Sequence, residues 1–304
     1  MERSKAAGVK SMIITGGSLQ ESREALELAE ASGMWATVGC HPTRSTEFDK
    51  AEDGPEGYIR ALGQLVEDNI KGKGRAVAIG QITTVPTSLF QKYKDTFPRV
   101  TLPSVKARRS YCLRYLGSQL GLARKYHLPL FLHSRAAHAD LVSILREEGF
   151  GEDGGRAAGG KGGVVHSFTG TIDEAVELMD MGFHISVNGC GLKTEDNLKA
   201  AAVITLDKLM LETDSPWCSC TSTHASKSHL ATLPASLRAL YFPPSVKPES
   251  FVRGKAVKGR NEPTAIGGIA WVMHKLLSVP FDEVVERAWK NTVDVFGLDD
   301  VGME

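Results

Sequence analysis

Residues 128–133 read Leu-Pro-Leu-Phe-Leu-His, a short apolar run that ends in a histidine. Most runs of this kind in the chain lack a clean alternation and are rich in valine, isoleucine and leucine. That composition is typical of strands buried on both faces of a parallel sheet. We therefore predict seven strands, and the other six cover residues 10–15, 34–39, 75–80, 163–166, 183–187 and 208–211.

Helical patterns separate these runs. Ser18 and Glu21 have the spacing of a capping box, with Gly33 placed to end the helix, and Thr171 and Glu174 form a second box. Strands alternating with helices predict parallel neighbours joined by right-handed crossovers. The predicted helices cover 19–32, 104–126, 172–181, 264–277 and 281–291.

This βα alternation predicts an α/β fold of the TIM type. A (β/α)8 barrel needs eight strands, whereas the sequence supplies seven runs, and the first of them follows directly on what looks like the end of a helix. We therefore predict a TIM-type (β/α)8 barrel that is missing its N-terminal first strand, formed by residues 1–304 as a single domain. An open seven-stranded sheet is the alternative.

The composition narrows the function classes. The 304 residues carry no net charge, so whole-molecule charge gives no evidence for a nucleic-acid partner. Five irregularly spaced cysteines favour a reducing compartment over a disulfide framework. Neither a membrane span nor a signal peptide is predicted, which favours an intracellular protein, cytoplasmic or nuclear, with no obligate protein partner.

Polar side chains stand at the ends of several predicted strands. His133 and His166 end consecutive strands, Asp214 follows the last strand, and His41 follows the second. Functional residues of such barrels lie at the carboxyl ends of strands, and two imidazoles with a carboxylate suit a divalent cation. Glu212 has two open interpretations: it faces the same side as Asp214, or it forms an ion pair in the core.

Two cationic features also have two open interpretations each. Arg135 either holds a phosphate or pairs with a neighbouring carboxylate. Residues 247–260, which we call the basic loop, carry five basic residues against Glu249 and form either a phosphate-contacting lip or a solvated surface loop.

Six motifs occur together in one order. They are Gly39-Cys-His-Pro-Thr43, Ala78-Ile-Gly80, Pro129-Leu-Phe-Leu-His-Ser-Arg135, Val165-His-Ser-Phe168, Leu211-Glu-Thr-Asp-Ser-Pro-Trp217 and Arg260-Asn-Glu-Pro263. With Asn188-Gly-Cys-Gly-Leu-Lys-Thr-Glu195, this set resembles the TatD-type metal-dependent deoxyribonuclease family, in its eukaryotic subgroup. The resemblance covers about 5–82 and 99–298.

The resemblance implies a hydrolase that cleaves DNA phosphodiester bonds with one or two divalent ions (Mg, Mn or Zn). It assigns metal binding to His133, His166 and Asp214, and activation of water to Asp214. It places His41 near the substrate phosphate. We take His41 and Arg135 as the candidate substrate-binding residues. Asn261 is expected to cap a helix that begins at Pro263.

The chain departs from the family pattern in two places. The family's opening strand is missing, and Gln81 stands where the family has a metal-bridging glutamate. Residues 82–98 are atypical and replace the family's metal-binding turn. We favour a gene-model error over genuine divergence, and we expect impaired activity of the chain as written. The alternatives are a metal-dependent hydrolase of another substrate, such as an amide or lactone, and an inactive barrel that serves as a binding module.

Overall fold

The computed structural model describes residues 2–41, 44, 46–84, 105–134 and 137–298, with backbone alone for 46, 83–84 and 105–114. Within these ranges all seven predicted strands are present. Each lies within or overlaps its predicted run. The strands are β1 Ile13–Thr15, β2 Trp35–Val38, β3 Ala76–Thr84, β4 Leu130–Ser134, β5 Gly163–His166, β6 His184–Val187 and β7 Leu209–Leu211.

The seven strands form one parallel sheet in which each strand pairs with the next along the chain, from β1 to β7. An order without a reversal is that of a barrel and excludes a doubly wound sheet. Among the described residues no pairing joins β7 to β1, so the sheet is a curled half-barrel. The prediction of a TIM-type fold that lacks one strand is confirmed.

Twelve α-helices occupy the described connections and ends of the sheet. They are α1 Glu2–Ala6, α2 Leu19–Ser32, α3 Thr46–Lys50, α4 Gly54–Asn69, α5 Val105–Tyr126, α6 His138–Glu147, α7 Ile172–Asp180, α8 Glu195–Ala202, α9 Lys227–Ala231, α10 Ala235–Tyr241, α11 Ile266–Leu277 and α12 Phe281–Phe296. No helix in the described ranges combines the length and apolarity that crossing a membrane requires.

The predicted helix starts agree with the structure. The Ser18 side chain accepts a hydrogen bond from the Glu21 amide at 3.1 Å, and Gly33 ends α2 in the left-handed conformation. Thr171 and Glu174 exchange both bonds of a capping box at the start of α7. The last helix, α12, extends five residues beyond the predicted 281–291 and ends at Phe296.

Both faces of the sheet are buried, which explains the missing alternation in the strand sequences. Leu130 and Leu132 of β4 pack into the larger core cluster, whereas Phe131 joins a second cluster with residues such as Val164 and Met210. Because side chains alternate along a strand, His133, His166 and Glu212 share the face of Phe131, Val164 and Met210 respectively.

The atypical segment is described only at its start. Ile82, Thr83 and Thr84 continue β3 and pair with Leu132, His133 and Ser134 of β4. The strand is therefore longer than the predicted 75–80. Residues 85–98 lie outside the described residues.

A small second sheet closes the basic loop at its base. Its strands, β8 Ser245–Val246 and β9 Ala256–Val257, pair in parallel. The Lys258 amide also donates to the Val246 carbonyl at 2.8 Å.

Candidate active site

Two imidazoles meet at the carboxyl ends of neighbouring strands. His133 of β4 and His166 of β5 are register partners, so their side chains stand side by side. The Nδ1 atom of His133 lies 3.1 Å from Nε2 of His166, with ring centroids 4.9 Å apart. The structure therefore brings together the two histidines that the sequence placed at consecutive strand ends.

The Gln81 side chain approaches the imidazole of His166. Its amide Nε2 contacts Nε2 of His166, and its backbone amide donates to the Gly16 carbonyl at 3.2 Å. Close backbone packing lets the chain reach this position, since a Cβ on Gly39 would lie 2.7 Å from the carbonyl carbon of Gly80. The residue that departs from the family pattern is thus in direct contact with His166.

Glu212 lies behind His166, on the side away from His133. Its Oε1 atom faces Nδ1 of His166 at 3.5 Å and accepts bonds from the Ser167 amide and the Asn188 side chain, both at 2.8 Å. Burial raises the pKa of Glu212, but His166 and the hydrogen-bond donors outweigh it, so the net pKa is lowered. The carboxylate therefore faces into the site, the first of the two interpretations left open by the sequence.

Asn188 is a site residue that the sequence did not single out as functional. It follows β6 directly, and its amide bridges the Ser167 hydroxyl (2.9 Å) and Glu212. Its position after a strand end was the available signal. The side chain fixes the carboxylate that faces His166.

Asp214 occupies the turn after β7 with φ 52°. The Cys218 thiol donates to its Oδ2 at 3.1 Å, and Cys190 donates in turn to Cys218 at 2.9 Å. Burial raises the pKa of Asp214, while the Cys218 bond opposes the shift. The half-buried carboxyl is therefore a stronger base than an exposed aspartate.

Asn261 holds this turn in place. Its side-chain amide donates to the Thr213 carbonyl at 2.8 Å, and its backbone amide donates to the Pro216 carbonyl at 2.9 Å. The prediction that Asn261 caps a helix is wrong, because Glu262 is the residue at the start of the Pro263–Ala265 turn. Asn261 instead joins the basic loop to the segment that carries Asp214.

His41 lies next to the histidine pair, with its ring centroid 5.9 Å from that of His133. Burial, assisted by His166 and Arg44, lowers the pKa of His41 to about 4. Its imidazole is therefore uncharged at neutral pH. Arg135, the other predicted substrate-binding residue, lies outside the described residues.

Sequence comparison decides the family. Residues 1–297 match the family described as TatD related DNase. The chain belongs to the TatD family. The Schizosaccharomyces pombe protein named deoxyribonuclease Tat-D is 36% identical over 297 residues, covering 97% of this chain and 85% of its own.

Two further TatD relatives extend this result. A Cronobacter sakazakii protein named 3'-5' ssDNA/RNA exonuclease TatD is 32% identical over 219 residues, which cover 71% of this chain and 70% of its own. The crystal structure of an uncharacterized amidohydrolase from Saccharomyces cerevisiae superimposes with a TM-score of 0.81 at 27% identity, over 97% of this chain and 91% of that one. The TatD chain is thus a hydrolase acting on ester bonds.

The separation of the two imidazole nitrogens in this TatD protein can be compared with that of two ligands of one ion. Nitrogens held ~2.0–2.1 Å from one ion at right or tetrahedral angles lie about 2.8–3.4 Å apart. The 3.1 Å separation of Nδ1 of His133 and Nε2 of His166 falls in this range. Within the described ranges, however, no three histidine, cysteine or acidic side chains come together closely enough to hold an ion.

Proposed function

We propose that this chain is a divalent-metal-dependent deoxyribonuclease that hydrolyses DNA phosphodiester bonds. In this proposal residues 1–304 act as one hydrolase domain, with His133, His166 and Asp214 as the ligands of one or two Mg, Mn or Zn ions. The observation that carries it is the 3.1 Å approach of the two imidazole nitrogens at adjacent strand ends. The TatD family membership and the names of its relatives support the choice of DNA as substrate.

Glu212 sets the state of the imidazole. A carboxylate opposite Nδ1 of His166 favours the proton on Nδ1, so Nε2, which Gln81 and His133 contact in this structure, carries the lone pair that a metal ion would use. A divalent ion held by these residues would supply an acidified water and charge neutralisation at the phosphate. Asp214, whose basicity is raised by burial, would accept a proton from that water.

Substrate binding is assigned to His41 and Arg135. An uncharged His41 donates one N–H hydrogen bond to a phosphate oxygen and adds no positive charge. Arg135 is the next residue in the sequence after β4 and is two residues from His133. The guanidinium of an arginine favours bidentate contact with a phosphate.

Gln81 favours a second candidate, a barrel that binds nucleic acid without cutting it. Its amide contacts the Nε2 atom that the proposal reserves for a metal. A neutral amide offsets none of the charge of a divalent ion and is a weaker ligand than a carboxylate. The atypical segment that begins at residue 82 fits either a gene-model error or divergence, and sequencing the transcript across 82–98 distinguishes them.

The test of the proposed function combines cutting with direct metal binding. Labelled single- and double-stranded DNA is incubated with the purified chain and Mn²⁺, Mg²⁺ or EDTA, and Mn²⁺ binding is measured by calorimetry. We expect EDTA-sensitive cutting and Mn²⁺ binding, both weakened at least about tenfold in His166→Ala.

His138→Ala is the matched control, because His138 pairs with Glu177 at 2.7 Å on helices outside the site. It should leave metal binding unchanged. Cutting that survives EDTA, or equal losses in both variants, contradicts the metal assignment. DNA binding without any cutting supports the second candidate.

A further inference from the structure

An exposed tryptophan stands beside the candidate catalytic carboxylate. Trp217 is 71% exposed, although it lies only three residues after Asp214 in the same turn. The Trp217 amide donates to the Asp214 carbonyl at 2.8 Å, so the turn that positions the carboxylate also positions the indole. An indole in water at this place is available to a ligand of the site.

The basic loop adjoins Trp217. Asn261 directly follows the loop, and its backbone amide bonds to the carbonyl of Pro216, the neighbour of Trp217. The loop also exposes two apolar side chains, Phe251 at 58% and Val252 at 62%. Seven large hydrophobic side chains are exposed in the described residues, and three of them are Trp217, Phe251 and Val252.

The basic loop carries five cationic side chains against one carboxylate, Glu249, in a chain of zero net charge. All its cationic side chains are exposed, and none forms an ion pair within the described part of the chain. They are Lys247, Arg253, Lys255, Lys258 and Arg260. The nearby Glu262 is already paired with Arg3 at 2.5 Å, so it does not offset them.

We propose that Trp217 and the basic loop form the surface that binds a single strand of nucleic acid next to the point of cleavage, an inference that rests on the proposed function. In this proposal Trp217 stacks on an unpaired base, and the cations of the basic loop contact the phosphates of the same strand. Exposed aromatics beside cations are the combination that single strands require, since their bases are free to stack. In a duplex the bases are already stacked and do not reach the indole.

The experiment measures binding in EDTA, where no metal-dependent cutting occurs. A fluorescein-labelled twelve-nucleotide oligo(dT) and a duplex of equal length are titrated by fluorescence anisotropy against the full chain. We expect Trp217→Ala to weaken oligo(dT) binding by about tenfold, the loss produced by one base–aromatic stack, with a smaller loss in Trp217→Phe. Duplex binding should be weaker and insensitive to both changes.

Charge reversal tests the phosphate contacts separately. Lys255→Glu and Arg253→Glu should weaken oligo(dT) binding and flatten its dependence on salt. Lys161→Glu is the matched control, because Lys161 is exposed but precedes β5 and so lies at the opposite end of the sheet. Leu28→Ala, an exposed apolar residue on α2, is the control for Trp217.

A second measurement follows the indole directly. The most exposed of the four tryptophans should lose its accessibility to acrylamide quenching when oligo(dT) binds, and this change should disappear in Trp217→Ala. Three results would overturn the proposal. They are wild-type affinity for oligo(dT) in Trp217→Ala, losses of affinity in the control variants equal to those in the test variants, and binding of polyglutamate as tight as that of oligo(dT). If Trp217→Ala cuts DNA as fast as the wild type, this inference is wrong and the nuclease proposal stands. If binding depends on Trp217 but no cutting occurs, the nuclease proposal is wrong and this inference stands.

Discussion

The Oε1 atom of Glu212 lies 3.5 Å from Nδ1 of His166, while Nε2 of the same ring faces His133. A carboxylate behind one ring nitrogen, with the lone pair on the other, is the arrangement that orients a ligating histidine. The Ser167 amide and the Asn188 side chain both donate to Glu212, so the hydrogen-bond network behind the imidazole includes these two further residues.

Replacing this carboxylate with an amide tests its effect on His166. Glu212→Gln should reduce Mn²⁺ affinity about 10- to 100-fold, because the amide no longer favours the proton on Nδ1. Calorimetry measures the affinity, and urea unfolding reports stability. Glu148→Gln, which removes a half-buried ion pair with Arg124 far from the site, is the control. Lost stability with unchanged Mn²⁺ affinity would restrict Glu212 to a structural contribution.

Restoring a carboxylate at position 81 should repair the metal site. Gln81→Glu adds negative charge against Nε2 of His166, and we expect Mn²⁺ affinity to rise at least about tenfold, since a charge at this range acts strongly in a half-buried site. Gln81→Met is the control, because it keeps the length of the side chain but has no oxygen ligand. A gain in both variants would attribute the effect to removal of the amide alone.

Asn261 provides a test of how the Asp214 turn is positioned. Asn261→Ala removes the donor to the Thr213 carbonyl, and we expect about 1–3 kcal/mol lower unfolding free energy together with slower cutting. Asn291→Ala is matched in kind, because its amide donates to the Leu206 and Leu209 carbonyls away from the site. It should lower stability without lowering the specific activity of the folded protein. Equal losses of specific activity in Asn261→Ala and Asn291→Ala would show that Asn261 has no specific effect on the Asp214 turn.

His184 should make stability depend on pH. Burial, assisted by Lys208, lowers its pKa to about 4 in the folded protein, from about 6.5 in an unfolded chain. The unfolded state therefore binds more protons between these values, and stability falls as the pH drops from about 6.5 towards 4.

His184→Gln should flatten that fall in part, since His41 contributes in the same direction. Urea unfolding at a series of pH values measures the slope. His127→Asn changes an exposed histidine and should leave the slope as it is. An unchanged slope in His184→Gln would remove His184 as a cause.

Strand ends were predictable, because a buried parallel strand leaves a continuous apolar run that stops where the polar site begins. His133 and His166 could be found in this way, since each is the last predicted residue of its run. The length of β3 could not, because Thr83 and Thr84 are polar and their strand conformation comes from pairing with β4.

Contacts between distant segments were the other limit. Asn261 and Thr213 are 48 residues apart, and the local pattern around Pro263 suggested a helix cap instead. The position of Glu212 depended on partners from two other strand ends, Ser167 and Asn188. Local spacing does not indicate which of several polar side chains a buried carboxylate will meet.

Phe131 links the site to the end of the chain's last helix. Its ring stacks on His166 with centroids 4.6 Å apart and meets the ring of Phe296, at the end of α12, at 6.5 Å. We therefore expect fraying or proteolytic trimming of α12 to loosen the packing of Phe131 against the imidazole of His166. The position of the His166 imidazole therefore depends on the packing of α12 against Phe131.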